Sequence, residues 1–143
     1  MPRINSRNKG ANGEREAAIW LQDKLGLGKI PERNLEQIRK GGHDLIGFPP
    51  FCLEIKRSET LALRDWWLQV TQAITNEYYI PIVMYRQNNK KWKFLISARH
   101  IGVEKGYIQL EEREFRIWIL LSLERLANRA KAKPIEKNSI TLQ

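Results

Sequence analysis

The chain holds one cysteine, Cys52, and two histidines among its 143 residues. A single thiol cannot close an internal disulfide or build a Cys-based zinc site, so neither staples nor a zinc finger explains the fold. Any resident metal must be held by oxygen ligands or by His43 and His100. Long hydrophobic runs are missing too. Nothing approaches the roughly 18 consecutive apolar residues of a membrane span, and the polar start, residues 1–10, lacks the apolar stretch of a signal peptide. A soluble, cytoplasmic protein with no membrane partner is expected. Acidic residues form the third shortage: 16 Asp plus Glu stand against 25 Lys plus Arg, a formal charge of +9. Such a balance favours polyanionic partners.

What is present suffices for one core. With 42% apolar residues, the chain can bury a single complete interior and not two. One domain is expected over residues 1–130, followed by a flexible basic tail over 131–143. The basic excess is clustered. Arg3, Arg7 and Lys9 open the chain without an acid, and Arg86, Lys90, Lys91, Lys93 and Arg99 form a second acid-free stretch interleaved with Trp92 and Phe94. Arg129, Lys131, Lys133 and Lys137, against Glu136, make the third cluster. No strongly basic amphipathic helix with a clean apolar face marks either end, so nucleic acid fits this pattern better than a membrane surface.

Periodicity predicts an amphipathic helix over residues 11–25, ended by Gly26 and Gly28, and an irregular strand over 30–35. Residues 44–48 and 51–56 are apolar runs flanking Pro49-Pro50 and read as a hairpin. A second helix is expected over 61–77, then a strand over 79–85 apolar enough to be buried on both faces. A polar turn over 87–90 leads back into a strand over 92–96. A short strand over 107–110 and a third helix over 112–130, with Phe115, Ile119, Leu123 and Leu126 on one side, complete the pattern. The order is that of an α/β fold with a mixed sheet.

The one Glu-x-Lys of the chain, Glu54-Ile55-Lys56, ends an apolar strand. Alternation places Glu54 and Lys56 on one face and Ile55 in the core behind them. Asp44 opens the preceding run, and a hairpin of odd loop length, or one bulged near Gly47, brings its carboxylate opposite Glu54. A two-residue loop sends it to the other face. Adjacent carboxylates repel unless a cation compensates, which suits Mg²⁺ with its preference for hard oxygen ligands. Lys56 then orients the attacking water or neutralises charge on phosphorus. The alternative is an exposed sheet face on which all three charges are simply solvated.

These residues resemble the PD-(D/E)xK nuclease superfamily, and within it the archaeal-type Holliday junction resolvases and their phage and prophage members. Lys9-Gly10-Ala11-Asn12-Gly13-Glu14-Arg15-Glu16 looks like the family's opening motif, and Asp44 with Glu54-Ile55-Lys56 matches its metal-binding signature. The likeness covers residues 8–97; residues 98–130 form a helical extension without counterpart in the minimal resolvases. The resemblance implies a restriction-endonuclease-like core, a mixed central sheet flanked by helices, in a bacterial or phage-infected cell. It implies that Asp44, Glu54 and the Ile55 carbonyl bind Mg²⁺, with Mn²⁺ able to substitute, that Lys56 is the catalytic lysine and that Glu14 completes the site. Motif alignment picks Glu14 over Glu16, a choice helix spacing alone leaves open; acids early in a helix also complement its dipole.

Family members often carry a Gln on the following helix, which makes Gln69 a candidate for the site beside the plainer reading of a solvent-facing glutamine. Trp66 and Trp67 are better suited to packing than to base stacking, given their helical register with Val70 and Ile74. His43 stands where the family pattern has Pro and reads as a hydrogen-bonding partner rather than a ligand. Arg7, Lys9, Arg15, Arg39, Lys40, Arg57, Lys90 and Lys91 are expected to contact DNA. The expected function is a Mg²⁺-dependent DNA endonuclease, a homodimer resolving four-way junctions. A general nuclease of the same superfamily and a catalytically silent DNA-binding protein are the alternatives. In charge terms, a basic rim should surround a small acidic centre of Glu14, Asp44 and Glu54.

Overall fold

The computed structural model describes residues 6–26, 32–33, 45–46 and 50–141. Helix α1 spans Ser6–Leu25, five residues longer at its start than periodicity indicates. Two-residue strands β1 (Glu32–Arg33) and β2 (Leu45–Ile46) pair antiparallel with each other. Strand β3 (Phe51–Arg57) is followed by helix α2 (Leu63–Ala73) and strand β4 (Ile80–Arg86). Strand β5 (Lys93–Ser97), a 3₁₀ turn (Ala98–Ile101), strand β6 (Tyr107–Leu110) and helix α3 (Glu112–Thr141) complete the chain.

The main sheet has the order β3-β4-β5-β6. β3 and β4 run parallel, joined across α2, while β4–β5 and β5–β6 are antiparallel. This is the mixed sheet expected, flanked by helices on both faces. Residues alternate between two interiors. Phe51, Leu53, Ile55, Ile82, Met84, Phe94 and Ile96 pack with Ala17, Ala18, Leu21, Phe115 and Ile119 of α1 and α3. Cys52, Val83, Tyr85 and Leu95 point the other way, against Trp66, Trp67 and Val70 of α2. The stacked rings of Phe94 and Phe115, 3.7 Å between centroids, fasten α3 to β5.

Among the described residues no ladder joins β2 to β3, so the hairpin expected across Pro49-Pro50 is not seen there. β2 pairs with β1, and β3 takes β4 as its partner, beginning where Ile80 N–H donates to the Pro50 carbonyl at 2.9 Å. The reason lies in the composition of β3 itself. Its residues Phe51 to Ile55 are buried without interruption, and a strand covered on both faces belongs to a parallel, helix-flanked sheet rather than to a half-exposed hairpin.

Helix α2 ends at Ala73, short of residue 77, because Ile74 turns extended and folds its side chain back against the α2-side core. Helix α3 runs to Thr141 instead of stopping near residue 130. Ala127, Arg129, Ala130 and Lys131 are strong helix formers, and Pro134 removes one backbone donor from the ladder. The strand over Tyr107–Leu110 has the bounds expected, and it forms an edge of the sheet.

Candidate active site

Register along β3 decides which side chains meet. Glu54 lies opposite Val83 and Lys56 opposite Tyr85 on the α2 face, whereas Leu53, Ile55 and Arg57 point to the α1 face. Glu54 is the one buried charged residue among those described, 4% exposed. Its Oε1 lies 3.1 Å from Lys56 Nζ. Gln69, from the middle of α2, closes the triangle: its amide nitrogen donates to Glu54 Oε1 at 2.9 Å and its amide oxygen accepts from Lys56 Nζ at 2.9 Å. The solvated-face alternative for Glu54 is therefore excluded. Gln69 joins the cluster through these two bonds while remaining an exposed residue of α2.

Burial pushes the Glu54 carboxyl above the ordinary carboxylate range; the charge of Lys56 and its hydrogen bond pull it back, and the negative charge of Glu14 raises it further. The influence of Glu14 means that α1 delivers a second carboxylate to the neighbourhood of β3. Glu16, two residues on, is directed elsewhere. Its Oε2 takes Arg57 Nη1 at 2.6 Å and Arg86 Nη2 at 3.1 Å. Helix geometry turns i, i+2 positions to different flanks, and the flank that carries Glu16 meets an arginine pair.

The expected DNA contacts divide. Lys90 and Lys91 are exposed at the β4–β5 turn, where Asn89 adopts a positive φ of 58°. Arg15 is exposed on α1, its Nη1 donating to Asn12 Oδ1 at 3.2 Å. Arg7 and Lys9 stand in the first turns of α1. Arg57 departs from expectation. Its side chain is 12% exposed, held by Glu16, and donates from Nη2 to Asn88 Oδ1 at 2.8 Å. It ties α1 to the sheet instead of reaching outward, because its odd position on β3 aims it at α1. Asp44, Arg39, Lys40 and His43 lie outside the described residues. Trp66 and Trp67 are buried, tilted against Tyr85 and Tyr107 at 5.6 and 5.8 Å, which is packing and not a stacking platform.

Among the described residues no three His, Cys, Asp or Glu side chains gather as a metal cage. The buried carboxylate of Glu54 is an oxygen donor of the kind a hard divalent cation prefers.

A family model described as "Phage putative PDDEXK endonuclease" matches residues 5–136. The chain belongs to this family. Membership places it in the PD-(D/E)xK superfamily and points to a nuclease, hence to DNA binding and to the divalent metals that PDDEXK nucleases typically use. The α/β sheet with flanking helices and a C-terminal helix is compatible with the restriction-endonuclease-like fold of the superfamily. No curated protein and no solved structure matches the chain. No helix among the described residues is long and apolar enough to cross a membrane.

Sequence reasoning missed the role of Gly13. A Cβ there would lie 2.5 Å from Arg57 Cγ and 3.3 Å from Arg57 Cβ, so only glycine lets the arginine stem cross the helix. The signal was available: a glycine inside an otherwise sound helical pattern marks a close approach.

Proposed function

We propose that this PDDEXK protein is a Mg²⁺-dependent endodeoxyribonuclease, with Mn²⁺ able to substitute, selective for four-way branched DNA and acting as a homodimer. The observation that carries the nuclease chemistry is the triangle of Glu54, Lys56 and Gln69, a buried carboxylate, an amine and an amide on one face of the strand that holds Glu-x-Lys. Asp44, Glu54 and the Ile55 carbonyl would hold the cation, with Glu14 completing the negative charge around it. When bound, the cation offers Lewis-acid stabilisation of charge on the phosphate and eases deprotonation of water.

The chain's own residues do the rest. Lys56 opposes the upward push of burial on the Glu54 carboxyl. Lys56 Nζ, fixed by two acceptors, presents its charge to the phosphate as negative charge grows in the transition state. Gln69 sets the rotamers of both. Arg15, Lys90 and Lys91 are exposed and suited to gripping the backbone on either side of the scissile bond. Selectivity for junctions rests on the resemblance to resolvases, and two nicks on opposite strands call for two sites related by a two-fold axis.

Incubating a labelled four-way junction and a linear duplex of the same sequence with Mg²⁺ or EDTA tests the reading. Cutting of the junction alone, abolished by EDTA, is expected. Equal cutting of both substrates removes the resolvase assignment and leaves a general nuclease. A folded protein that binds DNA but cuts neither is a silent binder.

A further inference from the structure

Helix α1 packs on the sheet through Ala17, Ala18 and Leu21, and the negative charge of its Glu14 is felt at Glu54. A polar grip on the same helix lies two residues on from Glu14. Glu16 Oε2 is shared by Arg57 of β3 and Arg86 of β4, at 2.6 and 3.1 Å, and Arg57 is itself steadied by Asn88 at 2.8 Å. Arg86 lies over the Trp92 ring, 5.4 Å from its centroid. The Nε atoms of both arginines are buried with no hydrogen-bond partner. Two guanidinium groups therefore give up part of their hydration to make this grip, which sets it apart from a solvated surface pair. Gly13 completes the fit, since its missing side chain is what lets the Arg57 stem lie against the helix.

We infer that Glu16 is a positioning residue: gripped by Arg57 and Arg86, and brought close by Gly13, it fixes α1 against the ends of β3 and β4 and so sets where the helix carries Glu14. The Gly13-Glu14-Arg15-Glu16 segment then divides its labour. Gly13 admits Arg57, Glu14 lends its charge to the neighbourhood of Glu54, Arg15 is left on the surface, and Glu16 anchors the helix. This rests on the proposed metal-dependent nuclease activity, in which Glu14 adds to the charge around the cation.

The test measures Mn²⁺ binding to DNA-free protein by electron paramagnetic resonance, beside kcat and KM for junction cleavage and Tm. Glu16→Gln removes the charge from the grip with little change in shape. Gly13→Ala leaves every charge in place and displaces the helix, and it carries the test if Glu16→Gln fails to fold. Each is expected to weaken Mn²⁺ binding and lower kcat by about tenfold or more, the scale seen when a partner that orients a ligand is lost, with KM for DNA little changed. A lower Tm with Mn²⁺ affinity and kcat at wild-type values in the folded variants reduces Glu16 to a structural ion pair and overturns the inference. A wild-type protein that neither binds Mn²⁺ nor cuts DNA overturns the nuclease reading itself, a result distinct from an active wild type with unaffected variants.

Discussion

Gln69 donates from its side-chain amide to Glu54 Oε1 at 2.9 Å, spanning the gap from α2 to β3. The opposite end of the same amide receives Lys56. One side chain thus fixes two neighbours of opposite charge that would otherwise choose their rotamers freely. Gln69→Ala should lower kcat by about tenfold or more while DNA binding persists, because it removes orientation and not charge. Steady-state cleavage kinetics beside a binding titration read the two effects separately.

Lys56→Ala should have the larger effect. It removes the cation beside a buried carboxylate and the charge offered to the phosphate, so cleavage should fall by about a hundredfold or more. Gel-shift affinity for the same DNA should stay near wild type. Residual cutting at the wild-type rate would move the catalytic lysine elsewhere.

Glu54→Gln should cost activity and remove a pH dependence of stability. Burial raises the folded-state pKa of Glu54, so its favourable contribution is complete below the ordinary carboxylate value and is lost as pH rises through the raised one. The neutral variant escapes that loss. Its Tm relative to wild type should therefore climb from acid to neutral pH, measured in EDTA so that no cation compensates. A Tm difference independent of pH would contradict the burial argument.

Gly13→Ala runs against helix propensity. In an exposed helix interior the change would stabilise by about 1 kcal/mol. Here the new Cβ meets Arg57 Cγ at 2.5 Å, and Arg57 cannot swing aside because β3 holds its backbone and Glu16 and Asn88 its guanidinium. Overpacking of this kind costs about 1–3 kcal/mol. A net loss of stability is expected in urea unfolding, and it should be smaller when Arg57 is also changed to Ala.

Lys90 and Lys91 stand exposed at the β4–β5 turn. Replacing both with Ala should weaken DNA binding evenly across sequences and lower the slope of log affinity against log salt by about 2, since each lysine neutralises one phosphate. An unchanged slope would take the turn out of the DNA interface.

Residues with a periodic or local signal were the legible ones. The apolar spacing of α1 and α3, the uninterrupted apolar strand around Ile82 to Tyr85 and the polar turn at Gln87 all reflect patterns complete within a few residues. The Glu-x-Lys face followed from strand alternation alone. Adjacency along the chain did not disclose that β3 pairs with a strand that follows a whole helix. The burial of β3 on both faces carried the correct answer, but only the presence of helices on both sides gives that burial its meaning. Arg57 shows the same limit. Its charge suggested a phosphate contact, and its odd position on β3, set by the core, turned it to Glu16.

The sequence by itself determined the chemistry on offer: one cysteine, a basic surface, a helix bearing Gly-Glu-Arg-Glu and a strand bearing Glu-x-Lys. These depend on residue identity and on the short-range geometry of helices and strands. Only the tertiary structure decided which of those groups face one another. It brought Gln69 to Glu54 and Lys56, joined Glu16 to Arg57 and Arg86, and gave Gly13 its purpose. Such contacts join residues from α1, β3, β4 and α2, and their distances follow from how the sheet and its helices pack rather than from any spacing along the chain.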